Sequence, residues 1–188
     1  SRLGWIHRQR QHFARQARQS AREMVTGESH YLEGRRYRLN VVERPGNPRV
    51  QVANNHTLEL QLPPGMDRDA RRQVLERWYR RRLKAQIPHL LARWEPVMEV
   101  RVADWRIKRM KTRWGSCNIQ ARRIWLNLEL AKKDPACLEY ILVHEMVHLL
   151  ERHHSDRFRA LMDRFMPAWR LHRDALNQAP LGHEDWDY

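Results

Sequence analysis

Val143-His144-Glu145-Met146-Val147-His148 is the segment whose residue types and spacing point to chemistry. On a helix, residues four apart project from one face one turn apart, so His144 and His148 can bind a single metal ion. Glu145 directly follows the first of them. It reaches a metal-activated water without ligating the ion, which suits a general base. Zinc fits this pattern, because it accepts imidazole nitrogen and brings the pKa of a water it holds to about 7. A catalytic zinc site takes three protein ligands and keeps one position open. Glu151-Arg152-His153-His154-Ser155 follows the motif at once. A chain reversal there can return a histidine to the ion, and either His153 or His154 can be that third ligand. His154 precedes Ser155, an expected helix N-cap, and a ligand fixed at a helix start is well positioned. His153 is then a candidate for contact with substrate. His172 is a weaker candidate for the ion.

The chain has 11 histidines, so a pair of solvated surface histidines is the competing explanation. Two features argue against it. Leu138, Leu142, Met146 and Leu149 form an apolar stripe, with Ile141, Glu145 and His148 on the adjacent face. The histidines therefore border the core. The second feature is the histidine pair that follows the helix.

The elements that must position these groups are legible in the periodicity. Residues 5–25 read as a basic, partly amphipathic helix with Trp5, Ile6, Phe13, Ala17, Ala21 and Met24 on its apolar side. From Tyr31 the pattern changes to period two, with strands joined near Gly34. Val50–Val52 and Leu58–Leu62 flank Asn54-Asn55, a hairpin turn. A long helix follows, with Asp67 as N-cap and Leu75, Tyr79, Leu83, Ile87, Leu90 and Trp94 on one face. Pro88 is expected to kink or divide it. Residues 99–112 read as one or two strands. A further strand carries Ile124, Leu126 and Leu128, and the two regions bracket Trp114-Gly115-Ser116-Cys117 in a hairpin-like arrangement. Asp134-Pro135 starts the motif-bearing helix, expected to run to about Glu151. Ser155 caps a last helix with Phe158, Leu161, Met162 and Phe165.

Arg113-Trp114-Gly115-Ser116-Cys117, then His144-Glu145-Met146-Val147-His148 and His154-Ser155 with Phe158 three residues on, resemble the YgjP-like metallopeptidases, which are related to the SprT-like proteases. The resemblance covers most of the chain from about residue 23. It implies an α+β fold of minimal zincin-like type, with a twisted β-sheet packed against the HExxH helix. It also implies His154 as the third ligand. The family often has an aromatic after the phenylalanine, where this chain has Arg159. Peptidases of this type bind extended peptides along a sheet edge. That makes Trp114, Gly115 and Ser116 candidates for contact with substrate, Gly115 by allowing close backbone approach. Core packing is the alternative for Trp114.

The expected organisation is a basic N-terminal helix at 1–27, β-hairpins with the long basic helix at 28–98, a catalytic core at 99–178 and an acidic tail at 179–188, in one compact domain overall. The expected function is zinc-dependent hydrolysis of peptide bonds through a metal-activated water, with Glu145 as general base and one zinc per chain. His153, Arg113 and His172 are candidates for stabilising the oxyanion. Hydrolysis of nucleotide phosphoanhydrides is an alternative, though the chain lacks a Gly-rich phosphate loop and a carboxylate-rich magnesium site. A nucleic-acid-associated protease or binding protein is another.

The charge bears on that last alternative. With 36 Lys and Arg against 22 Asp and Glu, the formal charge is +14. Such an excess attracts polyanions. Arg71, Arg72, Arg80 and Arg81 are the candidate contacts, through phosphate rather than base readout. The competing explanation is a solvated outer face. Cys117 and Cys137 form no CxxC pair or disulfide framework. No apolar run approaches the roughly 18 residues of a membrane span. A protein or peptide substrate, no membrane and a cytoplasmic location are expected.

Overall fold

The computed structural model describes residues 22–178. The expected N-terminal helix falls largely outside these residues, as does the acidic tail. Residues 22–25, assigned to the end of that helix, are not helical; Met24 has a φ of 59° and is buried.

β1 (Ser29–Leu32) turns through Glu33 and Gly34, both with positive φ, into β2 (Arg35–Glu43). β3 (Arg49–Asn54) and β4 (Thr57–Leu62) form the expected hairpin. Its turn is closed by Asn54 Oδ1, which accepts from the His56 N–H at 2.9 Å. Leu58, Leu60 and Leu62 are fully buried on one face of β4. On its other face Glu59 and Gln61 bond to Gln51 and Arg49 across the pair. This is the period-two pattern of a half-buried strand. The sheet order is β1-β2-β4-β3, and β2 pairs with β4 in parallel.

α1 (Arg68–Met98) starts at Asp67, whose Oδ1 accepts from the Ala70 N–H at 2.8 Å. The chain stays in one helix through Pro88 and Pro96, so Pro88 does not divide it. A proline inside a helix costs about 3 kcal/mol. Here Ile87, Leu91 and Trp94 are buried on either side and hold the helix together. α1 ends at Glu99, in the left-handed region with φ 55°.

β5 (Asp104–Lys108), β6 (Gly115–Asn118) and β7 (Arg123–Asn127) form a second sheet in the order β5-β7-β6. A 3-10 turn, Leu128–Lys132, leads to α2 (Pro135–Val147). Asp134 caps α2 by accepting from the Ala136 N–H at 2.9 Å. α2 stops at Val147 rather than near Glu151, because His148 already caps it. α3 (Asp156–Phe165) begins at Ser155, whose Oγ accepts from the Phe158 N–H. A further helix, α4 (Trp169–Asn177), follows Pro167.

The fold is α+β, with the HExxH helix packed against β6 and β7. The first sheet is tied to the 3-10 turn that follows β7 and to α1. Glu33 and Gly34 donate to the carbonyls of Ala131 and Lys132, and Arg82 pairs with Glu33 at 2.7 Å. One apolar cluster includes side chains of both sheets, α1 and α2.

Candidate metal centre and active site

α2 runs through the middle of the protein. Ten of its 13 residues are buried, so it is apolar on almost every side, as an interior helix must be. Among the described residues, the buried polar or charged ones are His30, Asn127, His144 and Glu145. Two of these four are in the HExxH motif, and Asn127 braces the loop that leads to β6. Buried ionisable groups are costly and need a specific role or partner.

His144 and His148 sit one turn apart at the C-terminal end of α2. The chain reverses through residues 149–154, with Leu150 and Glu151 donating to the Val147 carbonyl. His154 returns so that its Nε2 lies 3.0 Å from Nε2 of His148 and 3.3 Å from Nε2 of His144. Phe158 of α3 packs against all three, with ring centroids 4.8–4.9 Å away. Nδ1 of His148 is 3.2 Å from the Glu151 carbonyl oxygen. That oxygen only accepts, so Nδ1 carries the proton and Nε2 keeps its lone pair for a ligand.

The donor set suits zinc. Nitrogens about 2.0–2.1 Å from a tetrahedral zinc stand about 3.3 Å apart, close to the separations here. The protonation states agree. Burial, with the neighbouring His148 and His154, holds His144 well below the usual imidazole range. Burial also lowers His148. Burial, His148, Arg159 and His153 take His154 down to about 4. Neutral imidazole is the form that binds a metal. Burial pushes Glu145 up to about 8, with Arg113 opposing it. A bound divalent cation adds a field that favours the carboxylate.

The other sequence candidates are distributed as follows. His153 is exposed and outside the three-nitrogen cluster; its N–H donates to Glu151 Oε1 at 3.1 Å. Trp114 is in the core at 2% exposed, so packing accounts for its indole. Ser116 is half-buried on β6, an edge strand among the described residues. Gly115 is buried where β6 meets Glu145. His172 lies on α4 with its ring 6.3 Å from that of Tyr140, and not in the cluster. Arg159, placed where the family often has an aromatic, bonds the carbonyl of His154 at 3.1 Å and Asp156 at 2.5 Å. It thereby steadies the loop that returns His154. Burial, with the Glu145 carboxylate nearby, pushes the Cys117 thiol up to about 12, so it stays protonated.

Two of the four arginines expected as polyanion contacts are bonded within the fold. Arg71 bonds Glu43 at 2.9 Å and the Met66 carbonyl at 2.9 Å. Arg80 donates to the Ile107 carbonyl. Arg72 and Arg81 are exposed.

Sequence reasoning missed Tyr140 and Asn127. Tyr140 is four residues before His144, so helical spacing alone places it beside that histidine; its ring meets the imidazole edge-on at 6.0 Å. Asn127 carried no signal, since its partners are loop carbonyls brought in by folding.

The YgjP-like, metallopeptidase domain family matches residues 1–179. No curated protein matches the chain. Among solved structures it is similar to the metallopeptidase zymogen abylysin of Pyrococcus abyssi, with 20% identity and a TM-score of 0.45 over 48% of this chain and 90% of that one.

Proposed function

Because the chain belongs to the YgjP-like metallopeptidases, and so is a metal-dependent hydrolase, we propose that it cleaves peptide bonds with one zinc ion held by Nε2 of His144, His148 and His154. The observation that carries this reading is the return of His154 Nε2 to 3.0 and 3.3 Å from Nε2 of His148 and His144, beside the helical turn that bears the buried Glu145. When bound, the ion supplies Lewis acidity toward the scissile carbonyl and acidifies a water molecule.

Glu145 is the general base. Burial raises the proton affinity of its carboxylate, and a bound cation would favour the charged form; together these suit taking a proton from the attacking water and returning it to the departing amine. His148 is held in the ligating tautomer by the Glu151 carbonyl. Phe158 keeps the three rings together and excludes water behind them. β6 has a free edge among the described residues, so an extended substrate can add to it as a strand, with Ser116 on that edge.

The test is metal-loaded protein assayed on unfolded polypeptides and on nucleoside triphosphates, beside Glu145→Gln. The amide keeps the shape but cannot take the proton, so peptide hydrolysis should fall by at least ~10²-fold with metal retained. Near-normal turnover by that variant overturns the base assignment. Cleavage of triphosphates without cleavage of peptide overturns the substrate class.

A further inference from the structure

Gly115 lies in β6 without a positive φ, so its backbone does not demand glycine. Glycine weakens a strand, and in a strand interior it often marks close approach by another group. Here that group is Glu145. A Cβ at position 115 would stand 2.6 Å from Glu145 Oε1, 2.9 Å from its Cγ and 2.8 Å from Ile141 Cγ2.

We infer that Gly115 is a positioning residue for Glu145: its bare Cα forms the wall against which the carboxylate is held. The inference rests on Glu145 being the general base. Neither side of this contact can retreat easily. β6 is anchored beside Gly115 by the Asn127 N–H, which donates to the Trp114 carbonyl at 2.9 Å, and by the buried Trp114 indole. Across from it, Ile141 is 1% exposed in the body of α2. The Glu145 side chain is the softest member of the contact, because torsion about its own bonds relieves two of the three clashes, the closest among them. Alanine at 115 should therefore leave the fold in place and move the carboxylate. Misplacement by about 1 Å can cost ~10²-fold in rate.

In Gly115→Ala, kcat on a peptide should fall ~10²-fold while KM stays within about threefold and metal content is unchanged. A crystal structure of the variant should show the carboxylate displaced by about 1 Å. Thermal unfolding supplies a readout independent of catalysis. Part of the Tm lost on Gly115→Ala should return when Glu145→Ala is added, because both Glu145 contacts are then gone and only the one with Ile141 remains. Should Gly115→Ala fail to fold, recovery of folding in the Gly115→Ala/Glu145→Ala double variant supports the inference, and failure of both overturns it. Wild-type kcat in Gly115→Ala beside an inactive Glu145→Gln overturns the positioning role alone. An active Glu145→Gln removes the base assignment and the positioning role with it. If Ile141→Ala restores both Tm and kcat to Gly115→Ala, the contact that matters is packing, and the inference fails.

Discussion

The side-chain amide of Asn127 donates to the carbonyl of Arg113 at 2.7 Å and to that of Met110 at 3.0 Å. Its Oδ1 accepts from the N–H groups of Glu129 at 3.1 Å and Met110 at 3.4 Å. One fully buried amide thus uses both donors and its acceptor oxygen to hold the loop that delivers Trp114 and Gly115 to α2. Asn127→Leu strands these backbone groups without partners. The cost should be about 3 kcal/mol, a fall in Tm of roughly 6–12 °C for a chain of this size. A fall under about 2 °C by calorimetry would show that water replaces the amide without loss.

The third ligand is decided by two substitutions. His154 reaches the other two imidazoles, whereas His153 is exposed and lies outside the cluster. His154→Ala should lose zinc on dialysis, and His153→Ala should keep about one zinc per chain. Metal analysis of the two variants gives the answer; loss of zinc from His153→Ala alone would reverse the assignment.

Why was so much of this region legible? The one-turn spacing of His144 and His148 is local, and so are the Asp134 and Ser155 caps, which formed where expected. Local signals survive folding because they depend on the few residues that carry them. The misses are non-local. The pairing of β2 with β4 in parallel depends on where β3 settles, and no turn signal encodes that. Pro88 reads as a break until burial on both sides outweighs it. That Gly115 abuts Glu145, some 30 positions later in the chain, is likewise not legible from spacing. Arg71 and Arg80 read as free charge because the groups that occupy them, Glu43 and the Ile107 carbonyl, come from other elements.

Removal of the metal should loosen the protein without unfolding it. The three histidines pack on Phe158, and α2 is enclosed by apolar side chains on nearly every side, so the core does not depend on the ion. A ligand that binds only the folded state stabilises by RT ln(1 + [L]/Kd), about 2.7 kcal/mol at 100 times Kd. Chelation should therefore leave the circular dichroism at 25 °C unchanged and lower Tm by several degrees. A chelated chain that is unfolded at 25 °C would make the metal a structural one.

His30 gives a pH dependence remote from the metal. Burial lowers its imidazole below the usual value, and Glu28 at 2.6 Å opposes this only in part. The unfolded chain takes up a proton near 6.5, and the folded chain only at lower pH. Between those values the unfolded state binds more protons, so acid favours unfolding. The stability is present above about 6.5 and is lost as pH falls through the lowered folded value. The Tm advantage of wild type over His30→Gln should shrink between about pH 7.5 and pH 5. An advantage that grows on acidification would mean that the His30–Glu28 ion pair outweighs burial.

The arginines of α1 divide into two groups that respond differently to substitution. Arg71 and Arg80 are bonded within the fold, to Glu43 and the Met66 carbonyl and to the Ile107 carbonyl. Arg71→Gln and Arg80→Gln should each lower Tm, because the bonded carbonyls are left without a charged donor. Arg72 and Arg81 are exposed, and Arg72 has only Asp69 at 3.6 Å, a surface pair of little worth. Replacing both with Gln should leave Tm within about 1 °C. If this face contacts polyanions, the same double variant should reduce the slope of log K against log salt for duplex DNA by about 0.9 per lost phosphate contact. Titrations at several salt concentrations measure that slope. An unchanged slope places any contact elsewhere, and no binding near 0.15 M salt leaves these charges as solvated surface, where the Debye length is only about 8 Å.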